Sequence, residues 1–175
     1  MSELKFPTET IELPSKGLIY PEDNPLSSGK IEMKYMTAKE EDILSNQSYI
    51  TKGTVLDKLL QSLIVTEFNY NDLLIGDKNG LMVAARILGY GKDYKFKYQG
   101  TDYTVDLSLL EAKPIAEVVS QATTNEFDFK LPTSGVDVTF KLLTSQDESA
   151  INSELEGLKK INKDLTIVTR AAEAE

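Results

Sequence analysis

Apolar and polar residues alternate along two short stretches, Ile31-Glu32-Met33-Lys34-Tyr35-Met36 and Val136-Asp137-Val138-Thr139-Phe140-Lys141-Leu142. A period of two predicts half-buried antiparallel strands. Each stretch follows an extended run that ends in Leu-Pro, a hydroxyl and a glycine. The first reads Ile11-Glu12-Leu13-Pro14-Ser15-Lys16-Gly17, the second Phe129-Lys130-Leu131-Pro132-Thr133-Ser134-Gly135. Each then meets a helix start of one form, Thr37-Ala38-Lys39-Glu40 and Thr144-Ser145-Gln146-Asp147. A hydroxyl three residues before an acid is the capping-box spacing or its close relative. The chain reads as one strand–turn–strand–helix unit used twice. Gly17 to Thr37 spans 20 residues and Gly135 to Thr144 only 9, and the extra 11 contain Tyr20-Pro21-Glu22-Asp23-Asn24-Pro25. Pro21 and Pro25 fix φ and hold the residues before them extended, so this longer loop is expected to be ordered.

Between the two copies the period changes to that of a helix. Val55, Leu56, Leu59, Leu60, Leu63 and Ile64 form one stripe, with Asp57, Lys58, Gln61 and Ser62 outside it. Thr54 is the expected cap, and residues 46–53 are expected to be a loop. Asn71 is expected to cap a single turn that stops at Gly76, and Asp77 to cap a helix over about 78–89. That helix is apolar nearly all round (Leu81, Met82, Val83, Ala84, Ala85, Ile87, Leu88) and should be the most buried. Residues 94–106 then predict a hairpin. Tyr94, Phe96 and Tyr98 alternate with Lys95 and Lys97, Gln99-Gly100 turns, and Tyr103 and Val105 return. Residues 107–119 look partly helical, with a break at Pro114, and the polar run 120–125 suits a subdomain boundary. The last helix carries Ile151, Leu155, Leu158 and Ile161 on one face. The apolar run 165–170 that follows, closed by Ala171-Ala172-Glu173-Ala174-Glu175, suggests a chain that continues or a tail that docks elsewhere.

These readings predict an α+β fold of two related strand–turn–strand–helix units flanking a central helical segment and an aromatic β-hairpin. The expected divisions are 1–53 (hairpin and short helix), 54–92 (helical core), 93–124 (hairpin with short helix) and 125–175 (second hairpin–helix unit).

Charge and composition narrow the function. The 175-residue chain carries a net charge of −9, and no quarter of it is basic. Nucleic-acid affinity comes mainly from lysine and arginine at phosphates, so neither nucleic acid nor an anionic membrane surface is an expected partner. No apolar run approaches the length of a membrane span. The first ten residues lack the apolar core of a secretory signal, which leaves the cytoplasm as the expected address. With no cysteine and no histidine, thiol catalysis, His-based triads and the usual zinc sites are absent. No cofactor, metal or catalytic residue is expected.

Three features could suggest chemistry. Glu40-Glu41-Asp42 sits where the helix dipole favours carboxylates, so capping accounts for it better than a catalytic pair. Gly76-Asp77-Lys78-Asn79-Gly80 lacks the spacing and the Lys-Ser/Thr pair of a phosphate loop. The aromatic ladder with flanking lysines resembles a base-stacking surface, yet aromatic cross-strand pairs are also ordinary hairpin stabilisers, and core or interface fits better.

Four stretches together resemble one family: Leu13 to Pro21, Ser28 to Met33, Met36 to Leu44 and Leu74 to Asn79. It is the baseplate-hub protein family of T4-like contractile-tailed bacteriophages, in particular its cyanophage-type members, and the resemblance runs over essentially the whole chain. It implies a non-enzymatic structural or assembly protein of the tail baseplate. Its partners would be other baseplate or tail proteins, its location the virion after assembly in the host cytoplasm, and it could form an oligomer. One alternative is a cytosolic assembly chaperone absent from the mature particle. Another is a glycosidase using carboxylates alone, which needs two carboxyl groups about 5–9.5 Å apart across a cleft. Many relatives carry a Cys-Pro-x-Cys-Gly knuckle where this chain has Tyr98-Gln99-Gly100-Thr101, and members tend to continue past Arg170. Candidate partner contacts are Pro14, Tyr20, Pro21 and Pro25 in the first loop, and Tyr94, Phe96, Tyr98 and Tyr103 on the hairpin.

Overall fold

The computed structural model describes residues 6–113 and 124–161; the expected break at Pro114, most of the 120–125 boundary and the run 165–170 lie outside them. In chain order the elements are β1 (Thr8–Glu12), β2 (Lys30–Lys34), α1 (Ala38–Ser45), α2 (Gln47–Thr51), α3 (Val55–Leu63), α4 (Ile75–Tyr90), β3 (Asp93–Tyr98), β4 (Thr101–Asp106), β5 (Phe127–Lys130), β6 (Asp137–Phe140) and α5 (Ser145–Ile161). The fold is α+β. Its strands form three separate antiparallel pairs, β1–β2, β3–β4 and β5–β6.

The two hairpin–helix units share a register. Ile11 faces Ile31 in the first and Phe129 faces Val138 in the second. The Leu13 N–H donates to the Gly29 carbonyl at 2.8 Å, and the Leu131 N–H to the Val136 carbonyl at 2.9 Å, so each loop closes at its Leu-Pro. Fifteen residues lie inside the first loop and four inside the second. The length difference between the copies is therefore confined to the hairpin loop. From its base onward the copies run in step, and Lys34, Thr37 and Glu40 correspond to Lys141, Thr144 and Asp147.

The long loop is folded tightly onto itself. Gly17 and Gly29 adopt φ of 78° and 68°, and each lies against backbone of the other turn. A Cβ on Gly29 would stand 2.7 Å from the Lys16 carbonyl, so the two crossings need glycine for space as well as for φ. Pro25 begins a 3-10 turn capped by the Asn24 side chain, and the turn buries Leu26 completely.

Both units pack on α4. The Pro14 ring lies over Gly80, and the Met36 thioether lies over Gly89. The second unit meets the start of the helix: the Ile75 N–H donates to the Leu143 carbonyl at 2.9 Å and the Ser145 N–H to the Leu73 carbonyl at 2.8 Å. The core gathers Leu13, Ile19, Leu26, Ile31 and Met33 from the first unit, Leu59, Leu60 and Leu63 from α3, Leu73, Leu74, Leu81 and Ala85 around α4, and Phe127 from β5.

Several local expectations change. Residues 47–51 form α2 instead of loop, because Asn46 both ends α1 and caps α2, accepting from the Ser48 and Tyr49 N–H groups. Asn69, not Asn71, caps the turn over 70–72. Gly76 does not stop a helix and Asp77 does not cap one, since α4 begins at Ile75 with Leu74 at its N-cap. Thr54 precedes α3 but makes no side-chain cap bond, and Leu56 of the expected stripe is exposed. Residues 107–109 form a single 3-10 turn.

Candidate functional site

The charged residues with the least solvent are spent on internal ties. Asp77, in the first turn of α4, is 1% exposed. It accepts the Ser15 N–H at 2.8 Å, the Ser15 hydroxyl at 2.7 Å and the Tyr20 hydroxyl at 2.6 Å. The Tyr20 oxygen in turn accepts the Leu74 N–H at 3.0 Å. Burial, and then the Asp77 charge, push the Tyr20 hydroxyl well above the usual phenol range, so it stays a donor. The Leu-Pro-Ser-Lys-Gly loop is thus clamped to the helix start by one carboxylate.

Glu40 does the same for the first unit. It is fully buried and accepts the Thr37 N–H at 2.9 Å, the Thr37 hydroxyl at 2.5 Å, the Lys34 ammonium at 2.9 Å and the Ser62 hydroxyl at 2.6 Å. Burial opposes its charge, but the bonds from Ser62, Thr37 and Lys34 outweigh burial and hold the carboxyl at about 2. This carboxylate caps α1, as the sequence predicts, and also joins β2 to α3. In the second unit Asp147 accepts the Thr144 N–H at 3.0 Å, the Thr144 hydroxyl at 2.9 Å and the Lys141 ammonium at 2.7 Å. Lys141 first, then Thr144, keep it at about 2.

Beside Asp77, Lys78 bonds Asp57 at 2.7 Å and Glu148 at 2.5 Å, tying α4 to α3 and α5. Burial lowers its pKa, and the two carboxylates more than reverse that, leaving it raised. Every buried side-chain polar atom among the described residues has a partner. Among those residues no cluster of three or more His, Cys, Asp or Glu is placed to hold a metal, and no helix is long and apolar enough to cross a membrane.

The candidate contact residues fall into two sets. Pro14 is half-buried on Gly80 and Tyr20 is 8% exposed on Asp77, so both serve the frame of the molecule. Pro21 and Pro25 lie on the surface. Tyr20 and Pro21 line a cleft of about 460 Å³ to which Asn71 and Asp72 and the second unit's Lys141, Thr144 and Asp147 also contribute. The sequence predicts neither that cleft nor the long-range partners of Asp77 and Glu40. A Ser-x-x-x-x-Tyr pair with a remote Asp leaves no local pattern to find.

The hairpin residues form a single surface. Tyr94, Phe96 and Tyr98 stand opposite Val105, Tyr103 and Thr101, so alternate positions place them on one face. Tyr94, Phe96, Tyr98 and Tyr103 are 44%, 39%, 58% and 45% exposed, and none belongs to the core formed by the described residues. Phe96 and Tyr103 stack at 5.5 Å between ring centres, and the Arg86 guanidinium lies 5.0 Å from the Tyr90 ring and 5.7 Å from the Tyr94 ring. Gln99 and Gly100 turn the hairpin with φ of 48° and 84°, the conformation that two-residue hairpin loops favour. The face therefore follows the end of α4 as an aromatic strip, and among the described residues no further strand pairs with either edge.

Comparisons with protein-family models, with curated proteins and with solved structures returned no match.

Proposed function

We propose that this chain is a non-enzymatic structural or assembly protein of a bacteriophage tail baseplate hub, acting through protein–protein contacts. The observation that carries the reading is the aromatic strip of β3 and β4, an exposed face of aromatic rings on a molecule of net charge −9. Contiguous exposed apolar surface marks interaction sites on soluble domains, and aromatic residues are enriched among the residues that carry the binding energy of protein interfaces. The resemblance of four ordered stretches to the baseplate-hub family supplies the particle.

The carboxylate arrangement favours this reading over a carboxylate-only glycosidase. Glu40 and Asp77 hold four and three donors and serve as ties between elements. A general acid needs the opposite condition, a carboxyl whose pKa is raised toward neutrality, and Glu40 is driven down. The test is a deletion in the phage that encodes the chain. Tailless particles or free heads are the expected result, and normal contractile tails would overturn the proposal. Mass spectrometry of purified virions then distinguishes a resident subunit from an assembly chaperone that leaves.

A further inference from the structure

We infer that the second hairpin–helix unit is a docking site for a helix-then-strand segment of a partner protein, and that the first unit shows how such a segment seats. The inference rests on the reading of this chain as a docking protein, though not on which particle it serves.

In the first unit the equivalent face is filled by the chain itself. α3 lies against α1, and the Ser62 hydroxyl reaches Glu40 at 2.6 Å. The residues leaving α3 then run along the outer edge of β2. The Val65 N–H donates to the Glu32 carbonyl at 2.8 Å, the Glu32 N–H donates to the Thr66 hydroxyl oxygen at 2.8 Å, and Met33 sits opposite Ile64. Under this cover Ile31 and Met33 are buried, the Glu40 side chain is fully enclosed and Lys34 is 14% exposed.

The second unit repeats the receiving groups named above, and among the described residues nothing fills them. Val138 and Phe140 take the places of Ile31 and Met33, and Phe140 is 44% exposed. Thr139 takes the place of Glu32; in the shared register its N–H and carbonyl point away from β5, and among the described residues neither meets a partner. Ile151, in the place of Leu44, is also 44% exposed. The ion pair is open too, with Lys141 at 53% and Asp147 at 23% side-chain exposure.

The clearest difference lies at one oxygen. Glu40 Oε2 takes both groups of Thr37, while Oε1 is shared by Lys34 and Ser62. Asp147 Oδ2 likewise takes both groups of Thr144, but among the described residues Oδ1 receives Lys141 alone. The missing donor is the hydroxyl that α3 brings in the first unit. An apolar inner face, an open backbone edge and an acceptor oxygen thus define the occupant. It is a short amphipathic helix with a hydroxyl in its last turn, running on into an extended segment that adds to the β6 edge. A second copy of this chain does not supply it from the described residues, because α3 is already buried on its own first unit through Leu59, Leu60 and Leu63.

The test places a photo-crosslinking benzoyl-phenylalanine at Phe140 of the full chain, made in infected cells during particle assembly. The expected crosslinked peptide comes from another protein and carries the helix-then-extended pattern with its terminal hydroxyl. Thr139→Pro removes the outward N–H at an edge position where proline is tolerated, and should cut the crosslink yield tenfold or more with the far-UV circular dichroism unchanged. Ile151→Lys, on an exposed helical position, should do the same and guards against a folding defect in the first variant. Crosslinks confined to this chain's own residues, crosslinks to a second copy, no crosslink, or a yield indifferent to both substitutions would each overturn the inference. A host protein carrying the expected segment would uphold it while removing the baseplate reading; a tail protein upholds both.

Discussion

The Tyr20 hydroxyl donates to Asp77 at 2.6 Å, across 57 residues of sequence, and so fixes the long loop of the first unit to the start of α4. The loop is stiffened locally by Pro21 and Pro25, yet its position is set by this distant carboxylate. Replacing Asp77 with alanine leaves the Ser15 N–H and hydroxyl and the Tyr20 hydroxyl without an acceptor in a buried setting. Removing one partner of a buried polar network costs about 3 kcal/mol or more. Tyr20→Phe removes one of the three donors and the acceptor of the Leu74 N–H, for a smaller loss of about 1–2 kcal/mol. Urea unfolding of both variants measures the order, Asp77→Ala well below Tyr20→Phe.

Glu40 gives the molecule an acid limb. Its carboxyl is held at about 2 in the folded chain against 4.5 when unperturbed. A depressed folded pKa adds stability that is fully present above the unfolded value and is lost as pH falls toward the folded one. Thermal melts should therefore fall progressively below about pH 4.5. Glu40→Gln should be less stable at neutral pH and show a flatter acid limb, because the group that takes up the proton is gone. An unchanged slope would mean that Glu40 is not the group responsible.

The crossing of Gly17 and Gly29 sets a spatial limit that the turn glycines elsewhere do not share. At Gly29 a methyl would meet the Lys16 backbone, and at Gly17 the Ser27 carbonyl, with both residues at positive φ. Gly135 also has positive φ, 69°, but open space around it. Gly29→Ala should cost about 3 kcal/mol or more, since backbone must move. Gly135→Ala should cost about 1 kcal/mol, the conformational term alone. Chemical denaturation of the pair separates steric from conformational effects.

Much of the fold is legible in the sequence because its signals are local. The period-two strands around Ile31 and Val138, the Thr37 and Thr144 helix starts, the stripe of α3 and the Gln99-Gly100 turn each lie within a few residues of what they specify. The duplication is legible too, because the copies keep their spacing from Lys34 to Glu40 and from Lys141 to Asp147. Asp77 shows where such reading stops. Placed after Gly76, it has the form of a cap, and only its bonds to Ser15 and Tyr20 reveal a clamp. Glu40 is half legible: its bond to Thr37 follows from spacing, and its bond to Ser62 does not. For the candidate contacts, sequence pattern identifies aromatic and proline residues equally well, but burial separates Tyr20 from Tyr98.

The central claim is that the aromatic strip on β3 and β4 works by docking and not by holding the chain together. Threonine keeps strand propensity while removing the rings, so Phe96→Thr, Tyr98→Thr and Tyr103→Thr combined test it directly. Each side chain is already exposed, and its cross-strand contribution is at most about 1 kcal/mol. The measurement is electron microscopy of particles from cells infected with phage encoding this triple variant, with melting of the purified chain alongside. The account predicts a folded chain and no assembled tails; a folded chain with normal contractile tails would contradict it.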